Sequence, residues 1–350
     1  MKLSGGIILS ASALAMGLSV SLNTSAGAAP MHRVNAQAVL GVEQLDGKTS
    51  KYPRRLSEYG FFLDKAGRLP AARVIPYALN TALYSDGADK LRYIFLPDGA
   101  VMSDAGEGGL LDLPVGSAIV KTFAFGETYI ETRLLLHRAD GWLALPYKWN
   151  EDQSEATLAL VGARMELTRP DGETISYQIP NKNQCKQCHV KDKVVTPIGP
   201  KSRNLPREWF SDQASAGRIE AIPAVHDTVP HWDARAEVAD TGSLARGYLD
   251  VNCAHCHQPG GSASNSGLDL RWEQWDPYAV GIAKPPVAAG RGAGGHKVSI
   301  APGDPDASIL VYRMSSTEPG VAMPELGRST NDAEGISVIR QWVEGMNPAS

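Results

Sequence analysis

Apolar and polar positions alternate, imperfectly, through Ile119-Val-Lys-Thr-Phe-Ala-Phe125 and again through Tyr129-Ile-Glu-Thr-Arg-Leu-Leu-Leu-His137. Both runs are rich in β-branched and aromatic residues, which suit a half-buried pleated surface, so both predict strands. Trp142–Trp149 and Ala156–Val161 continue the series. Arg164–Arg169 and Glu173–Gln178 flank Asp171-Gly172, a dipeptide that tolerates the left-handed backbone of a tight hairpin turn. Short strands punctuated by turn residues predict a β-rich, sandwich-like domain over residues 29–180.

The pattern changes after Pro180. Residues 181–240 are rich in Pro, Gly and polar residues, as in Pro197-Ile-Gly-Pro-Lys-Ser-Arg203, and predict loops with short helices. In residues 241–350 the period becomes helical. Leu244, Tyr248 and Val251 share one face of a helix over Gly242–Asn252. Ile336, Ile339, Trp342 and Val343 form the stripe of a closing helix, with Asn331 expected as its cap, Glu334 three residues on, and Gly345 as its stop.

At the N-terminus, Lys2 precedes an apolar stretch, Gly6–Leu22, and a small-residue run ending in Ala26-Gly27-Ala28. This is the layout of a secretory signal peptide over residues 1–28. The stretch is short and rich in Ser and Gly for a membrane anchor. The rest of the chain contains no segment expected to span a membrane, so a periplasmic location is expected. Loss of residues 1–28 would remove one lysine from a chain whose formal charge is −4. So mild an acidic excess argues against nucleic acid as a partner and allows docking to a basic protein.

The chain has four cysteines. All four fall in two copies of one pentapeptide, Cys185-Lys-Gln-Cys188-His189 and Cys253-Ala-His-Cys256-His257. Cys-x-x-Cys alone fits a zinc half-site, a thiol redox pair or a disulfide. A histidine at the same offset in both copies is the signature of covalent c-type haem attachment. Cysteines three apart share a helix face, so both thiols reach one porphyrin edge, and the histidine then serves as an iron ligand. Two haems c are expected, held through Cys185, Cys188, Cys253 and Cys256, with His189 and His257 on iron.

A helix leading into the second motif, a long Gly/Pro-rich loop, a Met-Pro pair and a closing aromatic-bearing helix resemble a class I cytochrome c domain over residues 243–345. That resemblance implies Met323, followed by Pro324, as the second axial ligand beside His257. Met314 competes, but no proline follows it and it lies farther from the closing helix. At larger scale, Tyr59-Gly-Phe-Phe, Val74-Ile-Pro-Tyr-Ala-Leu-Asn-Thr, Ile130–His137, Asn183–His189, Pro197–Asn204, Asn252–His257, Lys284–Gly292 and Met323-Pro-Glu are similar to a family of bacterial dihaem c-type cytochromes. The resemblance implies two cytochrome c-type haem modules, residues 181–240 and 241–350, in an exported electron-transfer protein, and supplies no substrate.

No methionine lies between His189 and the start of the second module. The second ligand of the first haem is therefore sought among His226, His231 and His137, with Met102 and Met165 as weaker candidates; His255 is expected to point away from its own haem. Lys201, Arg203 and Arg291 are candidate partners for haem propionates, or solvated loop charges. The functional expectation is an electron carrier working between periplasmic redox proteins. Two alternatives remain open. One is a dihaem peroxidase-like enzyme with an open or displaceable position at the first haem. The other is a β-domain binding module, with Trp142, Tyr147 and Trp149 lining its surface and the haems as a redox tail.

Overall fold

Residues that read as strands in sequence pair as an antiparallel sheet in the computed structural model, which describes residues 52–104, 109–224, 228–238 and 240–347. The expected signal peptide and His226 lie outside the described residues. The main sheet has six strands: β1 (Val74–Pro76), β2 (Asp89–Phe95), β5 (Ala118–Phe125), β6 (Thr128–Arg138), β7 (Gly141–Trp149) and β8 (Ala156–Leu158), in the spatial order β1-β2-β5-β6-β7-β8. Three two-stranded ladders accompany it: β3 (Ser103–Asp104) with β4 (Leu111–Asp112), β9 (Ala163–Thr168) with β10 (Thr174–Ile179), and β11 (Val190–Lys191) with β12 (Val194–Val195). The hairpin expected at Asp171-Gly172 is β9–β10. The strand expected over Ala156–Val161 stops at Leu158, because Gly162 N–H turns back to the Ala159 carbonyl.

The sandwich expectation is refined to one large sheet with small ladders around it. Both faces of that sheet are covered, but not by a second large sheet. Side chains two apart on a strand share a face. Val120, Leu134, Leu145 and Trp149 pack on one side against Tyr59, Phe61 and Phe62 from the chain that precedes β1. Ile94, Ile119, Leu135 and Ala144 pack on the other against Leu205, Trp209, Phe210 and Cys185. Tyr147 and Trp149 are buried in the first of these layers, so they line no binding surface. At the sheet centre Thr122 and Thr132 bond to one another at 2.7 Å, and Trp149 Nε1 donates to Thr132 at 3.0 Å.

Six α-helices occur among the described residues: α1 (Lys182–Cys188), α2 (Arg207–Ser215), α3 (Thr241–Asn252), α4 (Pro277–Val280), α5 (Ile309–Met314) and α6 (Ala333–Glu344). α1 opens on a capping box: Asn181 accepts from the Asn183 and Gln184 amides while Gln184 accepts from the Asn181 amide. α3 and α6 bury Leu244, Tyr248, Leu249, Ile339 and Val343 in a third core. The cap of α6 is Asp332, not Asn331; Asp332 accepts from the Gly335 amide at 2.9 Å. Asn331 is drawn off by Arg328 and by the Ser315 carbonyl. The described residues belong to one compact unit, and no helix among them is long and apolar enough to cross a membrane.

Candidate functional site

α1 delivers the first motif: Cys185 is buried in its last turn, Cys188 ends it, and His189 caps it with a backbone bond to the Cys185 carbonyl. α3 delivers the second: it ends at Asn252, and the Cys253 and His257 amides bond to the Leu249 and Cys253 carbonyls. The two helices bring the motifs together. The Sγ atoms of Cys188 and Cys256 and a ring nitrogen of His255 all lie within 4.8 Å of one another. As free thiols, Cys188 is pushed up by its hydrogen bond to Cys256 and by burial, whereas that bond pulls Cys256 down.

Each motif histidine has its Nδ1 engaged by an oxygen. His189 Nδ1 lies 3.2 Å from the Thr196 carbonyl, which can only accept, so Nδ1 carries the proton. His257 Nδ1 lies 2.9 Å from Ser266 Oγ, whose own proton goes to the Ala263 carbonyl at 2.7 Å. Ser266 therefore accepts, and His257 is also protonated on Nδ1. Both rings are left with a lone pair on Nε2, the tautomer found where a metal-ligating histidine donates its other ring N–H to an oxygen. Burial, then the nearby His255, lowers His189 to about 3, and burial lowers His257 as well. Both imidazoles are neutral at physiological pH and able to coordinate a metal.

Cavities open beside both motifs. Cys185, Cys188, His189 and His255 line one of about 900 Å³ with Leu83, Tyr84, Tyr248 and Arg328. It adjoins another, of about 750 Å³, through Leu83, Lys121, Arg133, His189 and Ile198. A third, of about 660 Å³, is lined by Cys253 and His257 and by Leu268, Leu270, Val287, Ile309 and Met323. Met323 and Met314 line both the first and the third cavity. The Met323 carbonyl is held by Arg328 Nη2 at 2.8 Å, and its amide by the Arg313 carbonyl at 3.0 Å.

The structure does not bring His137 or His231 to these cavities. His137 stacks on Trp142 with ring centroids 4.4 Å apart and bonds to the Leu113 carbonyl. His231 is exposed and precedes a short 3₁₀ turn. Met102 is buried in the layer beneath the sheet, and Met165 packs in the β9–β10 cluster. Among the described residues, the histidine that lines the first cavity beside His189 is His255. Its Nδ1 is buried without a hydrogen-bond partner. Its position inside the second motif hid this role in the sequence, because the approach of one motif to the other is a tertiary fact.

Lys201 is paired with buried Asp250 at 2.7 Å, Arg203 with Glu273 at 2.7 Å, and Arg291 with Glu318 at 3.0 Å. Among the described residues, the cavity-lining cations without an ion-pair partner include Arg328, ahead of α6, and two from the sheet. Arg92 and Lys121 line the cavity that adjoins His189, and no carboxylate pairs with either among the described residues. Burial, then the neighbouring Arg92 and Lys90, pushes Lys121 well below the usual lysine range; burial lowers Arg92 too.

No protein-family model, no curated protein and no solved structure matches this chain.

Proposed function

We propose that this chain is an exported dihaem c-type cytochrome that passes electrons between periplasmic redox proteins. The observation that carries the reading is the shared state of the two motif histidines. Each is half-buried and neutral, holds an oxygen at Nδ1 that leaves the Nε2 lone pair for a metal, and lines a cavity beside cysteines spaced three residues apart. A zinc ribbon or a disulfide pair requires none of this.

The residues fit the group. Cys185 and Cys188 would hold one haem with His189 on iron; Cys253 and Cys256 would hold the other with His257. Bound there, each haem supplies a one-electron couple between ferric and ferrous iron. Met323 lines the His257 cavity and is the expected second ligand, a soft thioether that favours the ferrous state and raises the potential. At the first centre, His255 is the side chain that the chain offers as second ligand. Two protein ligands on each iron would favour an electron carrier over a peroxidase-like enzyme. The closeness of Cys188 and Cys256 would set the two attachment edges side by side, which suits a relay.

A zinc site is the second reading, favoured by the Cys188–His255–Cys256 cluster, whose two sulfurs and one ring nitrogen lie within 4.8 Å of one another. It leaves Cys185, Cys253, His189 and His257 without a role.

Intact mass and spectra of protein exported in a host with haem-attachment machinery decide between the two. The expected result is two covalent haems that survive acid–acetone extraction, no CO binding and no peroxide turnover. Colourless protein carrying stoichiometric zinc overturns the proposal. Haem-loaded protein that binds CO and turns over peroxide replaces the carrier with the enzyme.

A further inference from the structure

Three cations stand shoulder to shoulder across the middle of the main sheet. Arg92 on β2 is directly opposite Lys121 on β5, and Lys121 is directly opposite Arg133 on β6. Like charges in facing positions of a sheet repel, and taking them out of water adds a desolvation cost. Among the described residues, one carboxylate answers the row. Glu131, fully buried, accepts from Arg133 Nε at 2.8 Å and also from the Tyr177 hydroxyl at 2.8 Å. Its ion pair is made with Arg133, through both oxygens.

Among the described residues, no carboxylate forms an ion pair with the other two cations. Arg92 is 9 % exposed; its Nη1 donates to the Lys90 carbonyl at 3.0 Å, and its Nη2 is buried with no partner. The Lys121 ammonium lies over the Phe123 ring, 4.9 Å from its centroid. Buried polar groups in folded proteins are mostly paired, so an orphaned guanidinium nitrogen in register with a second cation that no carboxylate pairs leaves a place for an anion. All three residues line the cavity that contains His189, and Lys121 and Arg133 extend into the cavity that also contains Cys185 and Cys188.

We propose that the Arg92–Lys121–Arg133 row is a carboxylate-binding site that receives the propionates of the haem attached at Cys185 and Cys188. The inference rests on the dihaem reading and assigns the sheet a task within it. The loop cations Lys201 and Arg203, which the sequence offers for this task, are already committed to Asp250 and Glu273. Strands hold their cations in a fixed register; the row is therefore preorganised for a pair of carboxylates and needs no ordering of loops. Its positive field would stabilise the ferrous state of that haem against the ferric one.

The test uses the full-length exported protein with both haems attached, and the variants Lys121→Gln, Arg92→Gln and Lys121→Arg. Intact mass comes first: a wild type without covalent haem sinks the dihaem reading itself. With two haems present, redox titration followed by visible spectra should show one centre whose ferrous-to-ferric ratio at fixed potential falls about ten-fold in Lys121→Gln. The other centre should stay unchanged, and Lys121→Arg should restore the wild-type titration. Unchanged titration of both centres in Lys121→Gln and in Arg92→Gln overturns the proposal. Should the Gln variants fail to mature, redox-difference infrared spectra of wild type and Lys121→Arg, made with haem ¹³C-labelled at the propionate carboxylates, give the answer. Labelled carboxylate bands must shift between the two proteins, and bands identical in both overturn the assignment. A soluble oxyanion is the remaining source of negative charge. If added phosphate, sulfate or nitrite changes the wild-type titration and Lys121→Gln abolishes that response, the row serves a free anion and the propionate assignment falls.

Discussion

Asp86 holds Thr330 by its backbone amide and its hydroxyl, at 2.8 and 2.9 Å. The same carboxylate accepts from the Ser329 amide at 2.6 Å and the Ser329 hydroxyl at 3.1 Å. Asp86 is buried and sits in the loop between β1 and β2; Ser329 and Thr330 lie between Met323 and α6. A loop of the sheet thus fixes the segment that carries the expected methionine ligand. Asp86→Ala leaves four donors without their acceptor, each net bond being worth about 1 kcal/mol. The expected outcome is a loss of about 2–4 kcal/mol in denaturant unfolding, together with a weaker methionine-to-iron charge-transfer band in the ferric protein. Intact stability in Asp86→Ala would show that this clamp is not energetically important.

Met323 and Met314 both border the His257 cavity, so their substitutions distinguish them. Met323→Ala should keep both haems attached, abolish the ferric charge-transfer band and lower the potential of one centre, since thioether ligation favours ferrous iron. Met314→Ala should keep the band and cost about 2–4 kcal/mol of stability, because Met314 is a buried core residue of the α3–α6 layer. Visible spectra and redox titrations of the two variants read the difference directly; the reverse pattern would move the ligand to Met314.

Glu131 is the sole carboxylate answering the cationic row among the described residues, and it is fully buried. Glu131→Gln keeps the size but leaves the Arg133 guanidinium without a counter-charge, and breaking a buried pair in this way costs about 3–5 kcal/mol. Tyr177→Phe removes a single bond to the same carboxylate and should cost about 1 kcal/mol. Thermal and denaturant unfolding of both variants would check the ranking, and equal losses would contradict it.

Gly335 lets α6 approach α3. A Cβ on Gly335 would come within 2.6 Å of the Tyr248 ring and hydroxyl. Tyr248 also donates to Asp332, the α6 cap, at 3.0 Å. Gly335→Ala should therefore destabilise by about 1–3 kcal/mol through overpacking, despite alanine's better helix propensity. Tyr248→Phe keeps the packing and should lose about 1 kcal/mol with the bond. A Gly335→Ala variant as stable as wild type would mean that the helices separate freely at this point.

The local elements were legible in the chain, and one error shows the limit of local reasoning. β5, β6, β7 and the β9–β10 hairpin follow from alternation and from Asp171-Gly172. α3 and α6 follow from their apolar stripes. The α6 cap was misplaced by one residue because Asn331 has competing partners, Arg328 and Ser315, on segments that sequence periodicity does not connect. The sandwich expectation met the same limit, because alternation shows that a strand has a buried face without showing what covers it.

Sequence alone determined the repeated Cys-x-x-Cys-His spacing and the helix stripes, since these depend on positions within a turn or two of chain. Tertiary structure alone decided that Cys188 and Cys256 adjoin, that His255 lines the first cavity, and that Arg92, Lys121 and Arg133 stand in one row beside His189. The physical reason is range. Thiol spacing and helix periodicity are set by local backbone geometry, whereas strand register and the meeting of two helices are set by burial, which joins residues far apart in the chain.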